Sequence, residues 1–137
     1  MATATNLTRE AEFAQKKTVS VMAINIDDTT REHFNAAGSF LVGYLPENAL
    51  VVDALAWVKT ATAANTLLVG TTVGGKDILD AADTSSTGKA GTAAQIDTGT
   101  GKPVYVNTTA AMATGNLVVI IKYIEYTKNN GEYTRID

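Results

Sequence analysis

Residues 38–59 read GSFLVGYLPENALVVDALAWVK, and this stretch decides the fold. It predicts two β-strands hinged at Leu45-Pro46-Glu47-Asn48, because Pro46 turns the residue before it away from helical geometry. Each strand carries too many large apolar side chains to stand in water on both faces, so a second sheet must cover it. The second half is ambiguous, since the alanine, leucine and lysine of residues 53–64, DALAWVKTATAA, are good helix formers. Against helix, Leu50, Val52, Ala54, Ala56 and Val58 keep a period of two while Val51, Leu55 and Trp57 share the other face. That pattern suits a strand in a sandwich core.

Outward from this hinge the chain repeats the theme. Residues 18–26, TVSVMAINI, alternate as Val19 and Val21, then change phase to Ile24 and Ile26, which predicts a bulge or burial on both faces. In residues 27–37, DDTTREHFNAA, Asp28 can cap a helical turn, while Asp27-Asp28-Thr29 is equally good turn chemistry. Further strands are expected at residues 66–72, a short KDIL piece at 76–79, and residues 93–98, 102–108 and 117–127. Residues 81–91, AADTSSTGKAG, read as a surface loop. The count is about eight short strands with turn signals between them, the pattern of an all-β sandwich or barrel. Residues 117–121, LVVII, are apolar on both faces, so the last strand should lie centrally.

Two segments follow from composition. Residues 1–17 are rich in Thr, Ala, Glu, Gln and Lys, with Leu7 and Phe13 as the sizeable apolar side chains, and read as an N-terminal arm; residues 18–137 form the sandwich domain. Extended, the arm reaches about 55 Å, against a radius of gyration of about 14 Å for a compact domain of this length. It is long enough to touch a neighbouring molecule.

At 137 residues with no cysteine, one histidine and a formal net charge of −3, the chain must be held by packing rather than by disulfides or thiolate metal sites. Lys and Arg are scattered between acids, which argues against a nucleic-acid groove. The apolar runs are too short to span a membrane as helices, and no export signal is visible in the sequence. The expectation is a soluble protein made in a cytoplasm.

No constellation demands catalysis. Asp77, Asp80 and Asp83 sit three apart, but they lack the alternating ligands and closing glutamate of a calcium loop, and read as turn acids. His33 near Asp27, Asp28 and Glu32 reads as surface decoration. The run Gly70-Thr71-Thr72-Val73-Gly74-Gly75-Lys76 is out of register for a phosphate loop. Ser20, Ser39, Ser85 and Ser86 have no nucleophile frame around them. Tyr44, Trp57, Tyr105 and Tyr123 lie inside strands and are expected in the core, whereas Tyr126 and Tyr133 are candidates for a surface contact. No catalytic residue, metal site or cofactor is expected.

The order of parts resembles the head decoration and other small capsid-associated proteins of tailed bacteriophages. A polar arm leads into a strand; an apolar strand follows, ending in Leu-Pro within Tyr44-Leu45-Pro46-Glu47-Asn48-Ala49-Leu50-Val51-Val52-Asp53. Then come Val58-Lys59-Thr60-Ala61, the Thr-Leu-x-Val-Gly run at residues 66–70, and a long Ala/Thr/Gly loop. Pro-Val-Tyr-Val at residues 103–106 and Gly-x-Leu-Val-Val-x-Ile-x-Tyr at residues 115–123 complete it. The resemblance covers residues 19–126. It implies a jelly-roll-like antiparallel β-sandwich that binds the major capsid protein on the outer surface of an icosahedral shell and stabilises it, as a homo-oligomer. A trimer suits the three-fold positions of a shell, with a dimer as rival. Leu7 and Phe13 on the arm, with Tyr126 and Tyr133, are the expected contact residues. The alternative is a carbohydrate- or receptor-binding module of a fibre or tail, contacting its ligand through residues 81–101 and Tyr126 or Tyr133.

Overall fold

The computed structural model describes residues 19–34, 36–62 and 66–126. Leu7, Phe13 and Tyr133 lie outside them, as does the arm. The described residues form ten strands and one 3₁₀ turn: β1 (Ser20–Ile26), the turn (Arg31–Phe34), β2 (Gly38–Leu45), β3 (Ala49–Thr60), β4 (Thr66–Gly70), β5 (Leu79–Asp83), β6 (Gly88–Ala90), β7 (Thr92–Ala93), β8 (Ile96–Asp97), β9 (Lys102–Thr108) and β10 (Asn116–Glu125).

They make two antiparallel sheets. The first runs β1-β10-β3-β6, with β8 also pairing β3; the second runs β2-β9-β4-β5-β7. The pairings nest: β1 lies with β10, β2 with β9, and β4 with β5. A long hairpin has been wrapped so that successive rungs fall alternately in the two sheets, which is a jelly roll. The fold class expected from the sequence is therefore the one observed, and β10 lies centrally.

Between the sheets sits one core. Ile26, Val51, Val58, Leu67, Val69, Val104, Val106, Val119 and Ile121 are fully buried in it. Most are β-branched, with few side-chain rotamers to lose on a pleated surface. Phe34 of the 3₁₀ turn closes one side, meeting Phe40 edge to face with ring centroids 5.0 Å apart.

Register corrects several sequence expectations. β1 pairs β10 without interruption from Ser20↔Tyr123 to Ile26↔Leu117. No bulge is needed: Met22, Ile24 and Ile26 face inward, and Val21 points to solvent. In β3 the expected unbroken alternation is interrupted instead, since the register against β10 slips between Lys122 and Tyr123 and again between Asn116 and Leu117. One extra residue, Val52, lies between Val51 and Asp53, so Val51 and Ala54 both face the core. The strand, not the helix, is the conformation up to Thr60. The segment expected to be a surface loop at residues 81–91 contains β6 and most of β5, and buries Ala82 and Thr84.

Buried polar groups fix the turns. At the hinge, the Thr98 hydroxyl donates to the Pro46 carbonyl at 2.6 Å and accepts from the Ala49 amide at 3.0 Å. The Thr62 and Thr84 hydroxyls share a hydrogen bond at the other end of the sandwich. Asp27, rather than Asp28, holds the entry to the 3₁₀ turn: its Oδ1 accepts from the Thr29 and Thr30 amides.

Candidate docking surface

β3 places its small residues inside and its large ones outside. Ala54, Ala56 and Val58 face the second sheet, while Leu55 and Trp57 lie on the outer face, Trp57 with 47% of its surface exposed. The register puts three outward rows side by side: Asn25, Val118 and Trp57, then Ala23, Ile120 and Leu55, then Val21, Lys122 and Asp53. Directly opposed residues on neighbouring strands stand about 5 Å apart, so the apolar members of these rows form one continuous patch. Lys89 of β6 sits opposite Trp57 on the far side, and Lys59 follows it along β3. Apolar centre and charged rim are the anatomy of a protein-binding surface.

The second sheet is differently dressed. The β4–β5 loop folds back over its outer face, where the Asn107 side chain accepts from the Gly74 amide at 3.1 Å and donates to the Gly75 carbonyl at 2.6 Å. Gly70 permits this approach, because a Cβ there would run into the Gly75 backbone. The rest of that face carries Leu41, Tyr105 and Tyr44, the last 68% exposed. Tyr44, Trp57 and Tyr105 are thus corrections to the expected aromatic core, and Tyr123 is the one of the four that packs against it. An apolar strand pattern on both faces does not say which face is covered.

The acids read as turn residues each have a local partner. Asp77 binds Thr71 through both carboxylate oxygens, to the amide at 2.7 Å and the hydroxyl at 2.6 Å. Asp80 pairs with Lys76 at 3.6 Å, and Asp83 accepts from the Ser85 amide and hydroxyl. Asp28 pairs with Arg31, whose guanidinium also reaches the Gly115 carbonyl. No cluster of three metal-ligating side chains occurs among the described residues. His33 is exposed at the rim of a cleft between β1 and β2.

Tyr126, a sequence candidate for surface contact, is exposed but tethered. Its hydroxyl donates to Asp97 Oδ2 at 2.8 Å, and its amide donates to the Asn48 carbonyl at 3.2 Å. The Gly99 amide and then the Tyr126 hydroxyl hold the Asp97 carboxyl below its ordinary value of 3.8; the same bond raises the Tyr126 phenol. Asp27 is lowered by the Thr29 hydroxyl and amide and the Thr30 amide, and Asp83 by the Ser85 hydroxyl and amide. Depressed carboxyls contribute stability above the unfolded-state pKa and lose it as pH falls through the folded-state value. Thermal melts are therefore expected to hold level near neutrality and to fall below about pH 4. An Asp97→Asn variant should show a shallower fall than the parent; an identical acid limb would contradict the tether.

The outward apolar residues Leu55, Trp57, Val118, Ile120 and Val21 escaped sequence reading, although a signal was present. Asp53 and Lys59 share parity with Leu55 and Trp57, and Lys122 shares it with Ile120 and Val118. Charges at the ends of a row mark its apolar members as outward.

No family model matches the sequence, and no curated protein matches it. Among solved structures, the fold is similar to a chain in the acidic stable capsid structure of Helicobacter pylori bacteriophage KHP30, with a TM-score of 0.54, 17% identity, and coverage of 82% of this chain and 90% of that one. It is similar also to a chain in the capsid asymmetric unit of cyanophage Pam1, with a TM-score of 0.55, 20% identity, and coverage of 90% of this chain and 91% of that one. The chain shares its fold with chains found in bacteriophage capsid structures.

Proposed function

We propose that this is a non-catalytic virion protein that binds the outside of a tailed-phage shell, contacts its major capsid protein and stabilises it. The observation that carries this reading is the extent of the fold match, which takes in 90% and 91% of the two capsid-structure chains. Each of those chains is therefore little more than one such sandwich. A small, single-sandwich component of a capsid supports a decoration role.

The surface supports it. The patch around Trp57 offers a rigid apolar contact, and an arm carrying Leu7 and Phe13 adds a second point of attachment. Linked contacts raise one another's effective concentration, so modest individual affinities suffice on a shell. The chain is expected to sediment with virions or empty shells of its own phage, and failure to do so overturns the reading. Removing residues 1–17 is expected to leave a folded sandwich, by circular dichroism, with shell binding lost. Binding retained by the truncated chain would remove the arm from the mechanism.

A second reading draws on the exposed rings of Tyr44 and Trp57, because carbohydrate sites use open aromatic faces. On that reading the chain is a glycan-binding module. Selective glycan-array binding lost in Tyr44→Ala or Trp57→Ala would favour it, through these residues rather than Tyr126, whose hydroxyl is occupied by Asp97.

A further inference from the structure

Charge is unevenly shared between the two sheets. Among the described residues the cations are Arg31, Lys59, Lys76, Lys89, Lys102 and Lys122. Arg31 pairs with Asp28 and Lys76 with Asp80, whereas the other lysines have no carboxylate partner among the described residues. Of these, Lys59, Lys89 and Lys122 all lie on the outer face of the first sheet, around Trp57, and Lys102 lies on the second sheet. The whole chain carries a formal net charge of −3, so this face runs against the sign of the molecule.

The acids on that face are held by their own chain. Asp53 Oδ1 accepts from the Ala54 amide at 2.9 Å. Asp97, opposite Leu50, takes the Gly99 amide and the Tyr126 hydroxyl, each at 2.8 Å. Asp53 stands opposite Lys122, which leaves Lys59 and Lys89 as the unopposed charges. These two flank Trp57: Lys89 faces it from β6, Lys59 follows it along β3, and both are exposed. Guarding an edge against strand pairing accounts for a lysine on a short edge strand such as β6. It does not account for Lys59, because β3 has β10 on one side and β6 on the other.

We propose that this face receives an apolar surface of the shell protein bordered by Asp and Glu side chains, which pair with Lys59 and Lys89 on either side of Trp57. The inference rests on the capsid reading above and adds the sign of the partner's charge. Leu55, Trp57, Val118 and Ile120 supply the buried area, while the lysines steer the encounter and fix its register. A polyanion fits less well. Phosphate chains need closely spaced cations, whereas Lys59 and Lys122, the latter level with Asp53, stand about 20 Å apart at about 3.3 Å per residue, with Leu55 and Trp57 between them. A second copy fits less well too, because a two-fold contact uses one patch twice and would set lysines against lysines.

Co-sedimentation of the full chain with empty shells of its own phage, at about 0.1 M and about 1 M salt, tests this, because the screening length falls from about 10 Å to about 3 Å over that range. Wild-type binding is expected to weaken with salt. Lys59→Glu combined with Lys89→Glu should bind at least about tenfold more weakly at the lower salt, with a smaller difference at the higher. Lys76→Glu combined with Lys102→Glu makes the same change in net charge on the side of the second sheet, and should bind as the wild type does. All four side chains are exposed, so melting temperatures should stay close to the parent's. Lys89→Glu alone, expected to show part of the loss, serves should the double variant not fold. Undiminished binding after reversal of Lys59 and Lys89, equal losses in the two double variants, or wild-type binding indifferent to salt would overturn the proposal while leaving the capsid reading in place. So would retention of duplex DNA by the wild type that reversal of Lys59 and Lys89 abolishes, which would give the face to a polyanion. A wild type that sediments with no shell at either salt would take down the capsid reading, and this inference with it.

Discussion

A Trp57→Glu variant is expected to fold as the parent does and to bind shells at least about tenfold more weakly. Trp57 stands on the outer face opposite Val118 and Lys89, so a glutamate there meets water and a lysine rather than the core. Folding should be nearly unaffected. Docking should suffer greatly, because a large aromatic side chain at the centre of an apolar patch is the kind of residue that dominates an interface, and a carboxylate in its place would be desolvated without a partner. Co-sedimentation with shells, alongside a thermal melt of the free variant, separates the two effects. Undiminished binding would move the contact to the other sheet, where Leu41, Tyr44 and Tyr105 are the next apolar group.

Adjacent residues of β10 should behave oppositely in stability. Ile121→Ala is expected to destabilise by about 3 kcal/mol, within the 2–5 kcal/mol typical of a buried large-to-small change. That corresponds to a melting temperature lower by about 10 °C for a chain of this size. Ile121 is fully buried and sits between Met22 and Ala54 in register; the small Ala54 leaves no bulk to fill the space vacated. Ile120, one residue earlier, faces outward between Ala23 and Leu55, and Ile120→Ala should cost less than about 1 kcal/mol. Urea unfolding of the two variants gives the comparison directly. A larger loss at Ile120 than at Ile121 would reverse the faces of the central strand and remove the docking patch with it.

Sequence reading located the architecture because turns and strand lengths are local properties. The Pro46 hinge, the strand at Lys102–Thr108 and the central position of the last strand all follow from composition within a few residues. Which face of each strand is covered is not local. In β3 it depends on the extra residue at Val52, a product of pairing with β10. A bulge of that kind inverts every side chain beyond it. β5 and β6 were hidden for a related reason: Ala, Gly and Asp have weak strand preference, and Leu79–Asp83 is a strand because β4 and β7 flank it. The patch around Trp57 was recoverable from the parity of Asp53, Lys59 and Lys122, whereas the hydroxyl of Thr98 at the hinge had no signature in the sequence.

The nested hairpin has a practical outcome for anyone wishing to display cargo. Ser20 lies opposite Tyr123, while Thr60 lies opposite Asn116 at the far end of the same sheet. The described sandwich is therefore entered and left at one pole. The antipode holds the exposed Ser85-Ser86-Thr87 bend between β5 and β6. An epitope inserted there would point away from the pole at which the backbone enters and leaves the sandwich.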